Sequence, residues 1–518
     1  MPRAAPMVTV IGAGVAGLVA AIELARQGLD VTVLERAATP GGKMREVPIG
    51  TARLDAGPTV FTMRHVFDEI FEAAGTTLDA HVTLRRADLL ARHAWDGGGT
   101  LDLFADPARS AAAIGDFAGA AAAQGFLAFC ARARQVHATL EAPFMHAARP
   151  TPLSLLRAAG LRALWRIAPF STLWQALGEY FPDPRLRQLF ARYATYSGAS
   201  PFQAPATLML IAHVEQSGVW LVDGGMHRLA RALAALALRH GARIGYGAEA
   251  VAIRTRNGRV AGVTLAGGEE LPADAVVVNA DTAALAAGLF GKPAARAVPS
   301  PRARSLSAVT WSIVGRTAGF PLARHTVFFS RDYRAEFDDI FTRRRLPDSP
   351  TAYVCAQDRD DAGGTSLAGP ERLLCLVNAP ANGGTQDFSA KEIAACEDRT
   401  FGLLARCGLT VERDPARMVT TTPAGFARLF PGSAGALYGP AMHGAMAAFR
   451  RPGAATAIPG LYLAGGSVHP GPGVPMAAIS GRLAAARLLA DLPRQPPTPS
   501  PSTATSRATA TPGGISTR

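Results

Sequence analysis

The stretch Met7-Val8-Thr9-Val10-Ile11-Gly12-Ala13-Gly14-Val15-Ala16-Gly17 decides the fold. An apolar strand runs directly into Gly-x-Gly-x-x-Gly, and an apolar helix pattern opens there and continues to about Gln27, with Gly28 as its stop. Residues 31–34 read as a second strand that ends at Glu35. In such a βαβ unit Gly12 permits the tight turn, Gly14 lets the backbone approach a pyrophosphate, and Gly17 lets the helix sit close on the strand. The helix N-terminus adds free amides and a positive dipole end. Ala13 and Ala16 fill the same loop, and Glu35 places a carboxylate where it accepts hydrogen bonds from an adenosine ribose. A carboxylate there repels a 2'-phosphate and suits FAD or NAD, although Arg36 follows it.

Working outward, Pro40-Gly41-Gly42-Lys43-Met44-Arg45 places a glycine pair before basic residues, and Leu54-Asp55-Ala56-Gly57-Pro58-Thr59 follows it. Backbone amides and cations in that arrangement approach a longer phosphate and ribityl chain, which favours FAD over NAD. Residues 224–281 repeat the grammar: an amphipathic helix closed by Gly241, strands over 243–246, 251–255, 260–265 and 275–279, and Asn257-Gly258 as a hairpin turn. Residues 460–489 give a strand, a Gly/Pro turn holding His469, and a helix. The expected organisation is α/β: a Rossmann-like FAD-binding domain from residues 1–90, 224–299 and 450–492, and a mixed α+β substrate or membrane domain from 91–223 and 300–449. Residues 91–223 read as mostly helical. The Pro/Ser/Thr-rich tail, 493–518, is expected to be disordered.

Composition narrows the function. The chain has 518 residues, 48% of them hydrophobic, and a net charge of +13 carried mostly by Arg. That balance favours an anionic partner, yet there is no long basic tract, no aromatic RNA-binding signature and no zinc-ligand spacing, so nucleic acid and metal are not expected. Five scattered cysteines without a CxxC pair point to a reducing cytoplasm rather than a disulfide framework. The N-terminus lacks the order of a signal peptide, and no uninterrupted apolar run is long enough to span a bilayer. Residues 153–177 offer a surface contact instead. At 100° per residue Leu153, Leu161 and Leu164 share a face, Arg162 and Arg166 lie roughly opposite, Trp165 and Trp174 suit an interface, and Pro169 should kink or split the helix. A core helix with solvated arginines is the competing reading.

The segments ERAATPGGKMR and LDAGPTV resemble the flavoprotein family of amine oxidases, protoporphyrinogen oxidases and carotenoid desaturases. Within it, GLYLAGGSVHPGPGVPMAAISG (residues 460–481) and AGPTVFTMRHVFDEIF (residues 56–71) are similar to bacterial phytoene-desaturase-type enzymes. TMRH at 62–65, WDGGGTLDLFAD at 95–106 and LFPGSAGALYG at 429–439 resemble the branch acting on hydroxylated or methoxylated acyclic carotenoids at the 3,4 position. The resemblance implies FAD, with Gly465, Gly466, Val474, Pro475 and Met476 against the flavin and the backbone of Ala250 near adenine. It implies a lipophilic carotenoid substrate, hydride transfer from an allylic carbon, and peripheral attachment to the cytoplasmic face of the inner membrane. Only one dinucleotide fingerprint is present, so oxygen or a quinone is the expected electron acceptor. No catalytic residue is fixed; Arg64, His65 and Tyr196 are the polar candidates near the substrate terminus. Phytoene desaturation, carotene isomerisation, amine or porphyrinogen oxidation, and a non-enzymatic escort of lipidated GTPases are the alternatives.

Overall fold

A computed structural model describes residues 5–160, 167, 170–300, 303–360 and 369–492. The strand Met7–Ile11 pairs in parallel with Asp30–Glu35 on one side and Ala275–Val278 on the other, and Arg243–Tyr246 and Leu461–Leu463 complete a five-stranded sheet. Strand periodicity of two sorts its side chains. Val8, Val10, Val31 and Val33 face the helices Val15–Ala25, His227–Arg239 and Val474–Asp491. Ile11, Leu34, Val276 and Val278 face an antiparallel layer, Ala250–Arg256, Arg259–Leu265 and Glu270–Pro272. The helix Val15–Ala25 is buried on every side because it lies between the sheet and the other two helices. A Cβ at Gly481 would strike the Ala16 carbonyl oxygen, so glycine sets how closely the first and last helices pack.

Packed beside this lies a seven-stranded sheet in the order Met418–Thr421, Ser307–Gly315, Glu371–Ala379, Ala352–Ala356, His325–Phe329, Leu89–Trp95, Thr100–Phe104. One face is covered by the helix Ala390–Arg406, where Trp311 meets Phe401 edge-on and its indole N–H donates to Glu397 at 3.1 Å. The other supports helices Pro107–Ala118, Ala120–Leu140, Pro184–Ala191 and Leu210–Ser217 around Phe190, which stacks on Phe126 and Phe181 while Phe129 meets Phe181 edge-on.

Two sequence expectations need correction. The start of the stretch read as helical is a β-hairpin: Leu89–Trp95 pairs antiparallel with Thr100–Phe104 and is held in the sheet by its parallel partner His325–Phe329 across the chain; the strand also straddles the expected boundary at residue 90. The helix over residues 153–177, expected to kink or split at Pro169, is broken earlier. The segment Pro152–Ala159 ends at Gly160, whose φ of 80° lies in the left-handed region, and a separate short helix spans Leu173–Leu177. Leu161, Arg162, Leu164, Trp165, Arg166 and Pro169 lie outside the described residues, as does the tail 493–518. No helix among the described residues is long and apolar enough to cross a membrane.

Candidate active site

One cavity of about 1760 Å³ runs from the C-terminal edge of the parallel sheet to the helices of the second layer. Gly12, Gly14, Ala16, Glu35, Arg36, Gly41, Gly42, Lys43, Met44, Gly57, Pro58, Thr59 and Ala250 line it, and Gly465, Gly466, Val474, Pro475 and Met476 close it from the other side. Ala13 and Gly17 do not line it but shape it. The Ala13 amide donates to Glu35 Oε2 at 2.7 Å, and a Cβ at Gly17 would strike the Gly12 carbonyl oxygen. The Gly41 amide donates to the Ala13 carbonyl at 2.8 Å, which ties the glycine pair to the first turn.

The cradle admits a dinucleotide. Both helices that open onto it, at Val15 and Val474, begin without a side-chain cap and without an acidic first turn, so their amide ends remain available to anionic and polar groups. Glu35 is buried and also accepts from the Ala37 amide at 2.8 Å, leaving one acceptor position on each oxygen for ribose hydroxyls.

Sequence reasoning missed the residues that brace this cradle. Asn279 follows the strand Ala275–Val278 and its Nδ2 donates to the Gly12 carbonyl at 3.2 Å; a Cβ on Gly14 or Gly465 would come within 2.8 Å of its side-chain amide. Arg451 is buried and donates to the carbonyls of Gly466, Tyr438 and Pro440, fastening the C-terminal turn to the second layer. Burial lowers its pKa to about 10, opposed by Asp281. Lys43 lines the cavity, but its Nζ donates to the Leu437 carbonyl at 2.6 Å; burial holds its pKa below the usual lysine value, Asp281 opposes this and Arg451 adds to it. His469 does not line the cavity. Its Nε2 meets the Phe144 carbonyl at 2.9 Å and burial lowers it to about 4, so it links the turn to the segment Glu141–Met145.

Beyond the cradle the wall turns polar, then apolar. Thr59 Oγ1 lies 2.6 Å from the Tyr353 hydroxyl, which lies 2.7 Å from His325 Nδ1. Burial, with Arg324 and Arg192, lowers His325 to about 3, so the ring is neutral. Tyr193 and Tyr196 donate to the two oxygens of Glu215 at 2.8 and 2.6 Å, and the Arg192 guanidinium stands 5.2 Å over the Tyr196 ring. Burial opposes the Arg192 charge, but Tyr196, Glu215 and Tyr193 outweigh it and hold the guanidinium charged. Leu140, Phe144, Leu155, Leu156, Ile211 and Val214 carry the wall outward to Phe170, which is 87% exposed.

Of the three catalytic candidates, only Tyr196 lines the cavity. Arg64 and His65 point elsewhere. Met63 turns the chain at φ 49° into the helix Arg64–Ala73, Arg64 pairs with Asp68 one turn on and with Asp79, and His65 is exposed.

The family described as flavin containing amine oxidoreductase matches residues 15–489. The chain belongs to that family. Hydroxyneurosporene desaturase of Rubrivivax gelatinosus is 56% identical over 517 residues, covering 99% of this chain and 97% of that one. The 1-hydroxycarotenoid 3,4-desaturase of Flavobacterium sp. is 30% identical over 92% of this chain and 97% of its own. A redesigned putrescine oxidase shares the fold with a TM-score of 0.60 at 14% identity, covering 94% of this chain and all of that one. The flavin amine oxidase-like fold, the oxidoreductase class and FAD as cofactor thus stand as the sequence implied.

Proposed function

We propose that this flavoprotein desaturates an acyclic carotenoid, and that it does so at the 3,4 position of a 1-hydroxylated or 1-methoxylated chain. The carrying observation is the whole-length similarity to hydroxyneurosporene desaturase, joined to a cavity whose outer half is lined by aliphatic and aromatic side chains. FAD held by the glycine cradle supplies a two-electron acceptor for an allylic C–H bond. The protein's own residues supply the rest. The apolar wall excludes water and aligns an extended polyene, whose conjugation delocalises positive charge as the bond weakens. The neighbouring proton then leaves to a weak base or to water. The acid–base demand on side chains is small, in keeping with a Tyr353 hydroxyl in the wall that is backed by a neutral His325.

Oxygen or a quinone takes the electrons onward in this reading. The substrate enters from a lipid surface: Leu153, 55% exposed, and Phe170, 87% exposed, project beside the cavity mouth. Arg149 and Arg157 lie close by in sequence and complement anionic headgroups. Reconstituting the FAD-loaded protein in vesicles with a 1-hydroxylated acyclic carotenoid or with phytoene tests the assignment. A red-shifted product two hydrogens lighter from the hydroxylated substrate alone supports it. Desaturation of phytoene instead moves the enzyme to an earlier step, and no reaction with either overturns the reading.

A further inference from the structure

A cavity for a pure hydrocarbon has no use for a charged pair in its wall, because desolvated polar groups without partners cost free energy. This cavity nevertheless contains one. Arg192, Tyr196 and Glu215 all line it, on elements that approach from different sides: Arg192 and Tyr196 on the turn Arg192–Ser197, Glu215 on the helix Leu210–Ser217. The Arg192 guanidinium stands 5.2 Å over the Tyr196 ring and brings its charge into that wall. Each Glu215 oxygen takes one tyrosine hydroxyl, which leaves each a further acceptor position. The site therefore presents a cation and spare anionic acceptor positions in one wall, the combination that a lone alcohol satisfies, since its oxygen accepts while its proton is donated.

The cluster also sits where such an oxygen must be. Tyr353 hydrogen-bonds Thr59 of the cofactor cradle and lines the same cavity as Tyr196. At the end of the Arg192–Ser197 turn, a Cβ on Gly198 would come within 2.6 Å of the Tyr438 ring, and Tyr438 neighbours the Leu437 carbonyl that holds Lys43. An oxygen on the first carbon of a chain that reacts at its third and fourth carbons is only two carbons from the reacting bond. Its binding group must then border the flavin cradle rather than the distant mouth. The cluster does so, and the mouth is apolar.

We propose that Arg192, oriented by Tyr196 and Glu215, binds the terminal oxygen of the substrate and makes this enzyme specific for oxygenated chain ends. The proposal rests on the carotenoid-desaturase reading above. Arg192 donates to the oxygen and Glu215 accepts the hydroxyl proton. A methoxy end can use only the first of these bonds and binds more weakly than a hydroxyl.

The test compares the FAD-loaded wild type with Arg192→Met, Arg192→Lys and Tyr196→Phe on a 1-hydroxylated acyclic carotenoid and on the hydrocarbon that lacks only that oxygen. A site built around a hydroxyl discriminates by up to about 10⁴-fold in kcat/KM. Arg192→Met should collapse that ratio to roughly tenfold, by losing the hydroxylated substrate while keeping or gaining the hydrocarbon. Arg192→Lys should restore part of it, and Tyr196→Phe should raise KM for the hydroxylated substrate more than it lowers kcat. An equal loss on both substrates makes Arg192 structural and overturns the proposal, as does a wild type that desaturates both without preference. Should Arg192→Met fail to hold FAD, the Tyr196→Phe ratio decides by the same criterion. A wild type inactive on both substrates defeats the functional reading itself, and the proposal with it.

Discussion

Changing Glu35 to Gln tests the cofactor cradle at the atom where the geometry is tightest. In the native protein each carboxylate oxygen accepts one backbone amide, from Ala13 at 2.7 Å and Ala37 at 2.8 Å, and keeps one position free. A glutamine offers one acceptor oxygen, so its NH₂ must face one of those amides, donor against donor, and can no longer accept from a ribose hydroxyl. Losing one charge-assisted hydrogen bond to the cofactor and weakening its neighbour to a neutral one costs about 2–4 kcal/mol. At about 1.4 kcal/mol per decade this raises the FAD Kd by roughly 30-fold to 10³-fold. Deflavinated wild type and variant are titrated with FAD by quenching of flavin fluorescence, with thermal melts of both apoproteins alongside. The apo variant should melt lower, because one buried amide loses its partner. An FAD Kd within about threefold of wild type, in a variant that folds, would refute the placement of the ribose at Glu35.

The Glu336 carboxyl is pushed up to about 7 by burial, against the pull of hydrogen bonds from Thr351 and Asn378. A folded pKa above the unfolded value of 4.5 means that its stabilising contribution is full below that pH and is lost as pH rises through about 7. Wild type should therefore lose on the order of 3 kcal/mol across that window relative to Glu336→Gln, and parallel melting profiles from pH 5 to 8 would count against this. All five cysteines are free, and burial pushes Cys130, Cys355, Cys396 and Cys407 up to about 11 and Cys375 to about 12. A disulfide-exchange reagent at pH 8 should leave the four buried thiols unlabelled, reach at most the half-buried Cys407, and titrate all five after denaturation; rapid native labelling of more than one thiol would contradict the burial. Replacing both Leu153 and Phe170 by Asp removes roughly 2–4 kcal/mol of apolar contact with lipid, so vesicle co-sedimentation should fall at least about 30-fold at unchanged FAD content. Equal sedimentation would place the membrane contact elsewhere.

What the sequence discloses of this molecule is what is local to it. The first turn is legible because strand, glycines, helix and Glu35 follow one another within thirty-odd residues, and the hairpin at Asn257-Gly258 because both residues adopt positive φ, 53° and 74°. The strand Leu89–Trp95 is not, because its partner His325–Phe329 lies more than two hundred residues away and nothing in its own pattern names it. The same holds for Asn279 and Arg451, whose roles are set by the carbonyls of Gly12 and Gly466 on other segments. Arg64 was misplaced for a readable reason: Asp68 stands one helical turn after it, the spacing of an ordinary surface pair.

The polar cluster shows why a substrate terminus is harder to read than a cofactor site. The cradle proposed for FAD is built of backbone turns, and close backbone approach needs glycine, which leaves a mark in the sequence. A terminal hydroxyl is recognised by side chains in the reading proposed above, and Arg192 and Glu215 look like any other arginine and glutamate until the fold encloses them. Enclosure changes their worth. At the surface the pair would contribute little, but in a low-dielectric wall the same charges are worth far more to a polar group that reaches them. Tyr193 and Tyr196 each take one Glu215 oxygen and leave each a further acceptor position, and the Arg192 guanidinium lines the same cavity. A group that accepts from the cation and donates to the carboxylate suits the pair: a hydroxyl on an otherwise apolar molecule.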